Sequence, residues 1–398
     1  MKTTVVAVDF GTSKIVTLVA DNSSSLRCDI VGVGVAPYDG YMDDGWNNPG
    51  EVNQQIRACI EDAEKQSRRK IRDVNIGVPA SFTHAYKAEV TVELKGTDPR
   101  VTSSDIKQAF KLAEEKIGVV NGIKVHATPA WFIIDNGKKT LEPVGKSGRE
   151  LRALISFIYA DQFFVEDVSL RLRDMGYNVD GVYATAPGEM MLFLPEEERD
   201  HTAVLIDIGY LTTDVMIAEG DALVFLRTID IGGGHITADL AEGLDIPMAE
   251  AEQRIKREYV YAVEDQGQTY DIPGEEGREA RSFTRRQVAE VLEPRVEEIA
   301  DEIKKAIADS GVKLGSWSSY YLTGGGLTMN RGGAKFLGNQ LGQTVRETPK
   351  RTAKLNSHAF SSSLGLIDLI IDTIETRDRE PAGAGGKVGQ FFRSLLGG

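Results

Sequence analysis

The chain is poor in cysteine, in basic charge and in long apolar runs, and each shortage excludes a class of protein. Two cysteines, Cys28 and Cys59, in 398 residues are too few for a disulfide scaffold and typical of a reducing cytoplasmic setting. The net charge of −14 argues against a general nucleic-acid binder, because phosphate backbones bind to basic surfaces. No stretch approaches about 18 uninterrupted apolar residues, so no membrane-spanning helix is predicted. The first residues predict a strand and a polar turn, not a secretory signal.

Apolar patterning predicts an α/β protein that uses one plan twice. Apolar runs at 3–8, 14–20 and 30–35 predict three consecutive strands joined by short turns. The second half begins with strands "TAVLIDIG", "TTDVMIAEG" and "ALVFLRTIDIGGG", so an internal duplication is predicted. The stretch 81–160 has a different texture and predicts a small α+β unit inserted into the first half.

Turns of the form Asp-x-Gly end a predicted strand in each half. The first, "DFGTSK", contains Asp9, Gly11, Thr12, Ser13 and Lys14. The second, "DIGYLTTD", contains Asp207, Gly209, Thr212, Thr213 and Asp214. Amides of such a turn form a nest for an anion, and the aspartate can hold Mg²⁺ through water. An ordinary hairpin turn explains one copy about as well, but two copies in repeated halves favour phosphate binding.

Two glycine runs follow strands in the second half. They are Gly232, Gly233 and Gly234 in "IDIGGGHITADL", and Gly324, Gly325 and Gly326 in "YYLTGGGLT". Glycine allows close approach of the backbone to a ligand, but a tight turn explains either run equally well. Neither has the spacing of a dinucleotide fingerprint or of a Walker lysine loop.

These four motifs, in this order and spacing, resemble the phosphate and adenosine motifs of the actin-like ATPase superfamily. Three further segments, "VTSSDIKQAFKLAEE", "VHATPAWFIID" and "EPVGKSGRELRALISFIYA", resemble the inserted subdomain of the FtsA family, bacterial division proteins that tether FtsZ filaments to the membrane. The resemblance covers essentially the whole chain. It implies an actin-like fold of two duplicated α/β lobes around a nucleotide cleft, with a small inserted α+β subdomain.

The resemblance also implies roles for the motif residues, with ATP and Mg²⁺ as cofactors. Gly11, Thr12, Ser13 and Lys14 would contact the β and γ phosphates, with Asp9 and Asp207 near Mg²⁺. The run Gly324–Gly326 would flank the adenosine, and Gly232–Gly234 would lie close to the ribose and phosphates.

Departures from the family pattern favour ATP binding over efficient turnover. Family members usually have glycines where Tyr210 and Leu211 stand. Relatives also often have an acidic residue where this chain has Ala186. Glu189 is a candidate catalytic, water-orienting replacement, although a role in helix packing explains it equally well.

The last twelve residues predict an amphipathic membrane anchor. Val388, Phe391, Phe392, Leu395 and Leu396 would form one apolar face of a helix, with Lys387 and Arg393 available to acidic headgroups. Docking of this helix on its own domain is the alternative. One copy would bind weakly, whereas a filament would multiply the attachment.

These patterns predict a domain plan and a set of partners. The predicted segments are lobe 1 at 1–80 and 161–200 with the insertion at 81–160, lobe 2 at 201–245 and 315–375 with a helical partner-binding subdomain at 246–314, a linker at 376–386 and the anchor helix at 387–398. The resemblance implies binding to the FtsZ C-terminal peptide, to further copies of the chain in a filament, to an anionic membrane surface and to other division proteins, with no nucleic acid. It places the protein on the inner face of the cell membrane at the division site. A pilus-assembly scaffold of the same fold and a small-molecule kinase are the alternatives.

Overall fold

The structure is a computed structural model that describes residues 3–22, 29–42, 45–274, 280–352 and 354–378. Its strands are β1 Thr3–Phe10, β2 Lys14–Asn22, β3 Asp29–Pro37, β4 Tyr41–Met42, β5 Gly45–Trp46, β6 Asp73–Val78, β7 Thr83–Glu93, β8 Ile123–Ile134, β9 Glu150–Ala160, β10 Asn178–Ala184, β11 Ala203–Ile208, β12 Thr213–Glu219, β13 Ala222–Ile229, β14 Thr269–Ile272, β15 Arg281–Thr284, β16 Ser319–Thr323 and β17 Val345–Glu347. Its helices are α1 Pro49–Ser67, α2 Ser103–Ile117, α3 Gln162–Asp174, α4 Thr185–Phe193, α5 Glu196–Arg199, α6 Gly233–Gly243, α7 Met248–Glu250, α8 Arg285–Asp309, α9 Gly333–Leu341 and α10 Ser361–Asp378.

Two five-stranded sheets follow the same strand order. The first runs β10-β6-β1-β2-β3, and the second, taken from its other end, runs β17-β16-β11-β12-β13. In each sheet the first strand of the repeat is central, the next two strands lie on one side of it, and two later strands lie on the other. The internal duplication predicted from the sequence is therefore confirmed.

Contacts divide the chain into two units. The first comprises Met1–Ala203, Met216–Leu226 and the chain from Ser362 onward; the second comprises Val204–Val215 and Arg227–Ser361. The tip of the β12–β13 hairpin thus groups with the first unit. There, the indole nitrogen of Trp131 donates to the Glu219 carboxylate at 3.0 Å.

The first unit has a core between its sheet and two helices. Helix α1 begins with Pro49 in its first turn and is followed by the capping residue Arg68, whose left-handed φ of 56° is a common way to close a helix. Apolar residues at helical spacing, including Ile56 and Ile60, are fully buried against the sheet. Helix α3 contributes Phe164 and Val168 to the same core.

The inserted stretch forms a second, smaller core. Strands β7, β9 and β8 make an antiparallel sheet in that order, and α2 packs its buried face, with Ile106 and Phe110, on one side. Helix α2 begins with a capping box, in which Thr102 and Asp105 each bond the other's backbone amide, satisfying two amides that a helix start leaves open.

Helix α10 ends the described chain. It extends to Asp378 and so includes the first three residues of the stretch whose composition predicts a linker. The predicted anchor helix at 387–398 lies outside the described residues. Within the residues that are described, no helix is long and apolar enough to cross a membrane.

Candidate functional site

The two Asp-x-Gly turns have the same internal hydrogen bond. In the first unit, the Gly11 amide donates to the carbonyl of Lys14 at 3.0 Å. In the second unit, the Gly209 amide donates to the carbonyl of Thr212 at 2.8 Å. In both turns the glycine therefore bonds the residue three positions later, so the larger side chains of the second turn leave this bond intact.

The first turn places the Asp9 carboxylate against helix α10. Ser362 and Ser363, in the first turn of that helix, donate to Asp9 Oδ1 at 3.2 Å and Oδ2 at 2.6 Å. Burial raises the pKa of Asp9, while the two serine hydrogen bonds and the charge of Lys14 oppose that rise. Both carboxylate oxygens are thus held in place, and the role of Asp9 in binding Mg²⁺ stays a prediction.

Two tyrosines fix the backbone of the first turn. The Tyr38 hydroxyl donates to the carbonyl of Gly11 at 2.6 Å, and the Tyr41 hydroxyl donates to the carbonyl of Phe10 at 3.3 Å. Burial, together with the charge of Asp9, raises the pKa of Tyr38 well above its usual value, so this hydroxyl remains a hydrogen-bond donor. The carbonyls are turned toward the tyrosines and held there.

In the second unit, three predicted motifs meet. The Gly233 amide donates to the carbonyl of Gly209 at 2.9 Å, and the Gly326 amide donates to the carbonyl of Ile208 at 2.7 Å. A Cβ built on Gly233 would overlap Gly326. We call this convergence of the ends of β11 and β16 with the start of α6 the glycine cluster: Asp207, Gly209, Gly232, Gly233, Gly234, Gly324 and Gly326.

Gly324 shows why the glycine cluster needs glycine. Its φ is +83°, a left-handed conformation that side chains other than glycine rarely adopt. A Cβ at this position would also overlap the Asp207 carboxylate. Gly325 differs, because a Cβ there would meet Ala359 at 2.9 Å.

Tyr210 contacts the glycine cluster and is also partly exposed. The Gly234 amide donates to its carbonyl at 2.6 Å, and a Cβ on Gly234 would lie 2.9 Å from the tyrosine ring. The residue as a whole is 37% exposed. Tyr210 therefore packs at the first turn of α6, where the family pattern has a residue without a side chain.

Negative charge is concentrated beside the second turn. The Thr228 hydroxyl donates to Asp214 Oδ1 at 2.6 Å. Burial, with the charges of Asp207 and Asp230, raises the pKa of Asp214 to about 7. Among the described residues, no group of three His, Cys, Asp or Glu side chains is placed to hold a metal alone. Hydrated Mg²⁺ does not need such a group, because it keeps several waters and uses one or two carboxylates together with substrate phosphates.

Patterning did not reveal a buried lysine that supports the glycine cluster. Lys256 ends a π-helix over Ala251–Lys256 and is 1% exposed. Its Nζ donates to the carbonyl of Gly233 at 2.6 Å and to Glu252 Oε2 at 2.8 Å. Burial lowers the pKa of Lys256, and Glu252 opposes that change. In the sequence, Lys256 and Glu252 belong to a charge-rich stretch whose pattern is typical of a solvent-exposed helix face, so the pattern does not indicate that they are buried.

The predicted catalytic residue lies inside the first unit. Glu189 is in α4 and 3% exposed. A Cβ on Gly365 of α10 would overlap the Glu189 backbone, so α4 and α10 cross closely at this point. The role of Glu189 in orienting water stays a prediction.

The fold is the actin-like ATPase fold. The chain is similar to the solved structure titled "PilM-PilN type IV pilus biogenesis complex", with a TM-score of 0.62, 18% identity and coverage of 93% of this chain and 99% of that one. It is also similar to MreB5 of Spiroplasma citri bound to ADP, with a TM-score of 0.53, 12% identity and coverage of 94% and 98%.

Sequence comparison identifies the relatives. The family model "Cell division protein FtsA" matches residues 204–365. FtsA of Neisseria meningitidis is 27% identical over 90% of this chain and 88% of its own length, and FtsA of Escherichia coli is 25% identical over 84% and 80%. The chain is thus similar to FtsA cell-division proteins over most of its length, and the resemblance stated from its motifs is confirmed.

Proposed function

We propose that this chain is an ATP-binding cell-division protein that polymerises on the inner face of the cytoplasmic membrane and tethers FtsZ filaments to it. The observation that carries the proposal is the shared turn geometry: Gly11 and Gly209 make the same hydrogen bond in two duplicated sheets. Similarity to FtsA proteins over most of the chain supports the division role.

Each half of the nucleotide site has its own part in this proposal. The first turn, from Gly11 to Lys14, would contact the β and γ phosphates, and Asp9 and Asp207 would hold Mg²⁺. The glycine cluster contacts the ribose, the adenosine and the remaining phosphates. Mg²⁺, when bound, would neutralise phosphate charge.

Membrane attachment is proposed to come from the C-terminal residues. Val388, Phe391, Phe392, Leu395 and Leu396, with Arg393, have the spacing of an interfacial helix, which would bind weakly as one copy and firmly along a filament. We also propose that 246–314 binds the FtsZ C-terminal peptide and that other division proteins bind elsewhere on the body.

The test combines nucleotide, lipid and partner. The full chain with ATP and Mg²⁺ should sediment with liposomes that contain phosphatidylglycerol, should form filaments visible by electron microscopy on a lipid monolayer, and should recruit FtsZ to them. Deletion of residues 387–398 should abolish sedimentation while leaving ATP binding intact. Equal sedimentation of the truncated chain would refute the anchor, and failure of the full chain to bind ATP would refute the nucleotide role.

A pilus-assembly scaffold is the second candidate, favoured by the TM-score of 0.62 to the PilM–PilN structure. The two candidates differ in the peptide that they bind. Binding of a PilN peptide, without binding of the FtsZ C-terminal peptide, would select the scaffold.

A further inference from the structure

A short segment of the first unit covers the carbonyls of the first Asp-x-Gly turn. It comprises residues 38–41, and we call it the tyrosine strap. Its two hydroxyls hold neighbouring carbonyls, since Tyr38 donates to Gly11 at 2.6 Å and Tyr41 donates to Phe10 at 3.3 Å. Tyr38 is 8% exposed and Tyr41 is 4% exposed, whereas Gly11 is partly exposed. These carbonyls therefore face the interior of the unit, and the other side of the turn faces solvent.

Main-chain contacts hold the tyrosine strap against this turn. The Tyr38 amide donates to the carbonyl of Ser13 at 3.2 Å. Gly40 has a φ of +76° and lies so close to the turn that a Cβ there would overlap the Thr12 carbonyl. On the other side of the strap, the Asn47 amide donates to the carbonyl of Gly40 at 3.0 Å, just before α1. The Tyr38 hydroxyl is thus held in a fixed position relative to the turn.

The second Asp-x-Gly turn has the same two carbonyls restrained, but by different donors. Ile208 and Gly209 occupy these two places, and their carbonyls accept from the Gly326 amide at 2.7 Å and from the Gly233 amide at 2.9 Å. Main-chain amides of the glycine cluster thus restrain the second turn as the tyrosine hydroxyls restrain the first. Because two turns of different sequence share this restraint, it belongs to the geometry of the turn and not to one local sequence.

The planarity of the peptide bond gives this restraint a consequence for anions. In a trans peptide the amide points away from the carbonyl of the same peptide plane. A carbonyl of Gly11 that is held toward Tyr38 therefore directs the Thr12 amide away from the strap, toward the exposed side of the turn. Phosphates are attracted by amides and repelled by carbonyl oxygens. Glycine rotates at little steric cost, so the orientation at Gly11 depends on its hydrogen bond and not on a Cβ.

We propose that Tyr38 is a positioning residue for the phosphates of the bound nucleotide, because its hydroxyl keeps the Gly11 carbonyl out of the phosphate site and the Thr12 amide directed into it. This inference rests on the nucleotide role proposed above for the first turn. Tyr38 acts through the backbone of that turn. In Tyr38→Phe the ring still packs in the core, but the Gly11 carbonyl loses its donor, which is unfavourable for a buried acceptor. We expect the peptide between Gly11 and Thr12 to rotate and to turn its carbonyl toward the phosphates.

Tyr177→Phe is the matched control for the loss of a buried hydroxyl. Tyr177 belongs to the same core as Tyr38 and is also 8% exposed. It directly precedes β10, which pairs in parallel with β6, and β6 pairs in parallel with β1. The first turn follows the end of β1, so Tyr177 lies at the opposite end of the sheet. The control therefore alters the core without altering the tyrosine strap.

The experiment measures nucleotide affinity of the full chain by isothermal titration calorimetry with Mg²⁺, using ATP and ADP directly and AMP by displacement. We expect Tyr38→Phe to weaken ATP binding about tenfold, as loss of one well-made hydrogen bond to the site predicts. ADP binding should also weaken, while AMP binding should stay unchanged, because AMP lacks the β and γ phosphates that the first turn would contact. Tyr177→Phe should leave all three affinities unchanged. Thermal unfolding without nucleotide compares the stability of the two variants.

Three outcomes would count against this inference in different ways. Wild-type affinity for ATP in Tyr38→Phe would refute the role of Tyr38 and leave the proposed function standing. Equal losses of affinity for ATP, ADP and AMP, with a lowered unfolding midpoint, would show that Tyr38 supports the fold and does not position phosphates. A wild-type chain that binds no ATP would refute the proposed function, and the role of Tyr38 with it.

Discussion

At the scale of single residues, the site depends on groups that hold other groups in position. Ser362 and Ser363 hold the Asp9 carboxylate, and Lys256 holds the carbonyl of Gly233. Each of these supporting residues is far in sequence from the motif that it supports. A motif search finds Asp9 and Gly233 but has no reason to select their partners.

Asp214 makes the stability of the folded protein depend on pH. Its pKa of about 7 lies above the usual value of about 3.9 for an unfolded chain. Between these values the unfolded state loses a proton that the folded state keeps, so the free energy of unfolding falls as pH rises toward 7. Asp214→Asn should match the wild type near pH 4 and be more stable by a few kcal/mol, on the order of 1.4 per pKa unit, at pH 8.

Urea unfolding of both proteins from pH 4 to pH 8 measures this difference directly. Other titrating groups are common to the two proteins, so the difference between the profiles isolates Asp214. Parallel profiles would show that Asp214 ionises in the folded protein as an ordinary carboxyl does.

At the scale of secondary-structure elements, glycines let turns approach one another. Gly324 and Gly342 both have positive φ values, +83° and +66°, but a Cβ on Gly342 would meet nothing within 4 Å. Gly342→Ala should therefore be destabilised only by the cost of a left-handed alanine, about 1–2 kcal/mol. Gly324→Ala adds an overlap with Asp207 and should lose several kcal/mol of stability.

The midpoints of thermal unfolding of Gly324→Ala and Gly342→Ala, measured with and without ATP and Mg²⁺, test these expectations. The nucleotide should raise the midpoint of the wild type and of Gly342→Ala, but should raise that of Gly324→Ala much less, because the altered turn belongs to the glycine cluster. Equal shifts in all three proteins would place nucleotide contacts elsewhere.

The order of helices and strands was largely predictable from the sequence, whereas the tertiary contacts between distant segments were not. Period-two patterning predicted β1, β2 and β3, and the repeated order in the second half predicted the duplication. In contrast, the convergence of Gly233 with Gly326 is set by sheet topology, and the burial of Lys256 is set by a π-helix that its charged neighbours conceal. Local pattern predicts local structure, and these contacts are not local.

At the scale of the whole molecule, the two halves share a plan and differ in their turns. The first turn has Thr12, Ser13 and Lys14, all small polar or basic, whereas the second has Tyr210 and Leu211. Because Tyr210 packs at the first turn of α6, its side chain fills space that the family pattern leaves open beside the proposed phosphate contacts. We therefore expect ATP to bind and to be hydrolysed slowly.

Phosphate release by the full chain on liposomes measures the turnover. We expect a rate well below the roughly 10 s⁻¹ that is typical of enzymes, and Tyr210→Gly is the variant that should change it. A wild-type rate of tens per second would contradict this interpretation of Tyr210, Leu211 and Ala186.

Helix α10 contacts the first Asp-x-Gly turn directly. Residues of its first turn donate hydrogen bonds to the Asp9 carboxylate, and its 18 residues make a helix about 27 Å long. In the sequence, the last turn of this helix is followed by the predicted linker and the predicted anchor helix. A nucleotide that alters the hydrogen bonds of Asp9 would act on the first turn of the helix that precedes the predicted anchor in sequence, so we expect the strength of membrane attachment to depend on which nucleotide is bound.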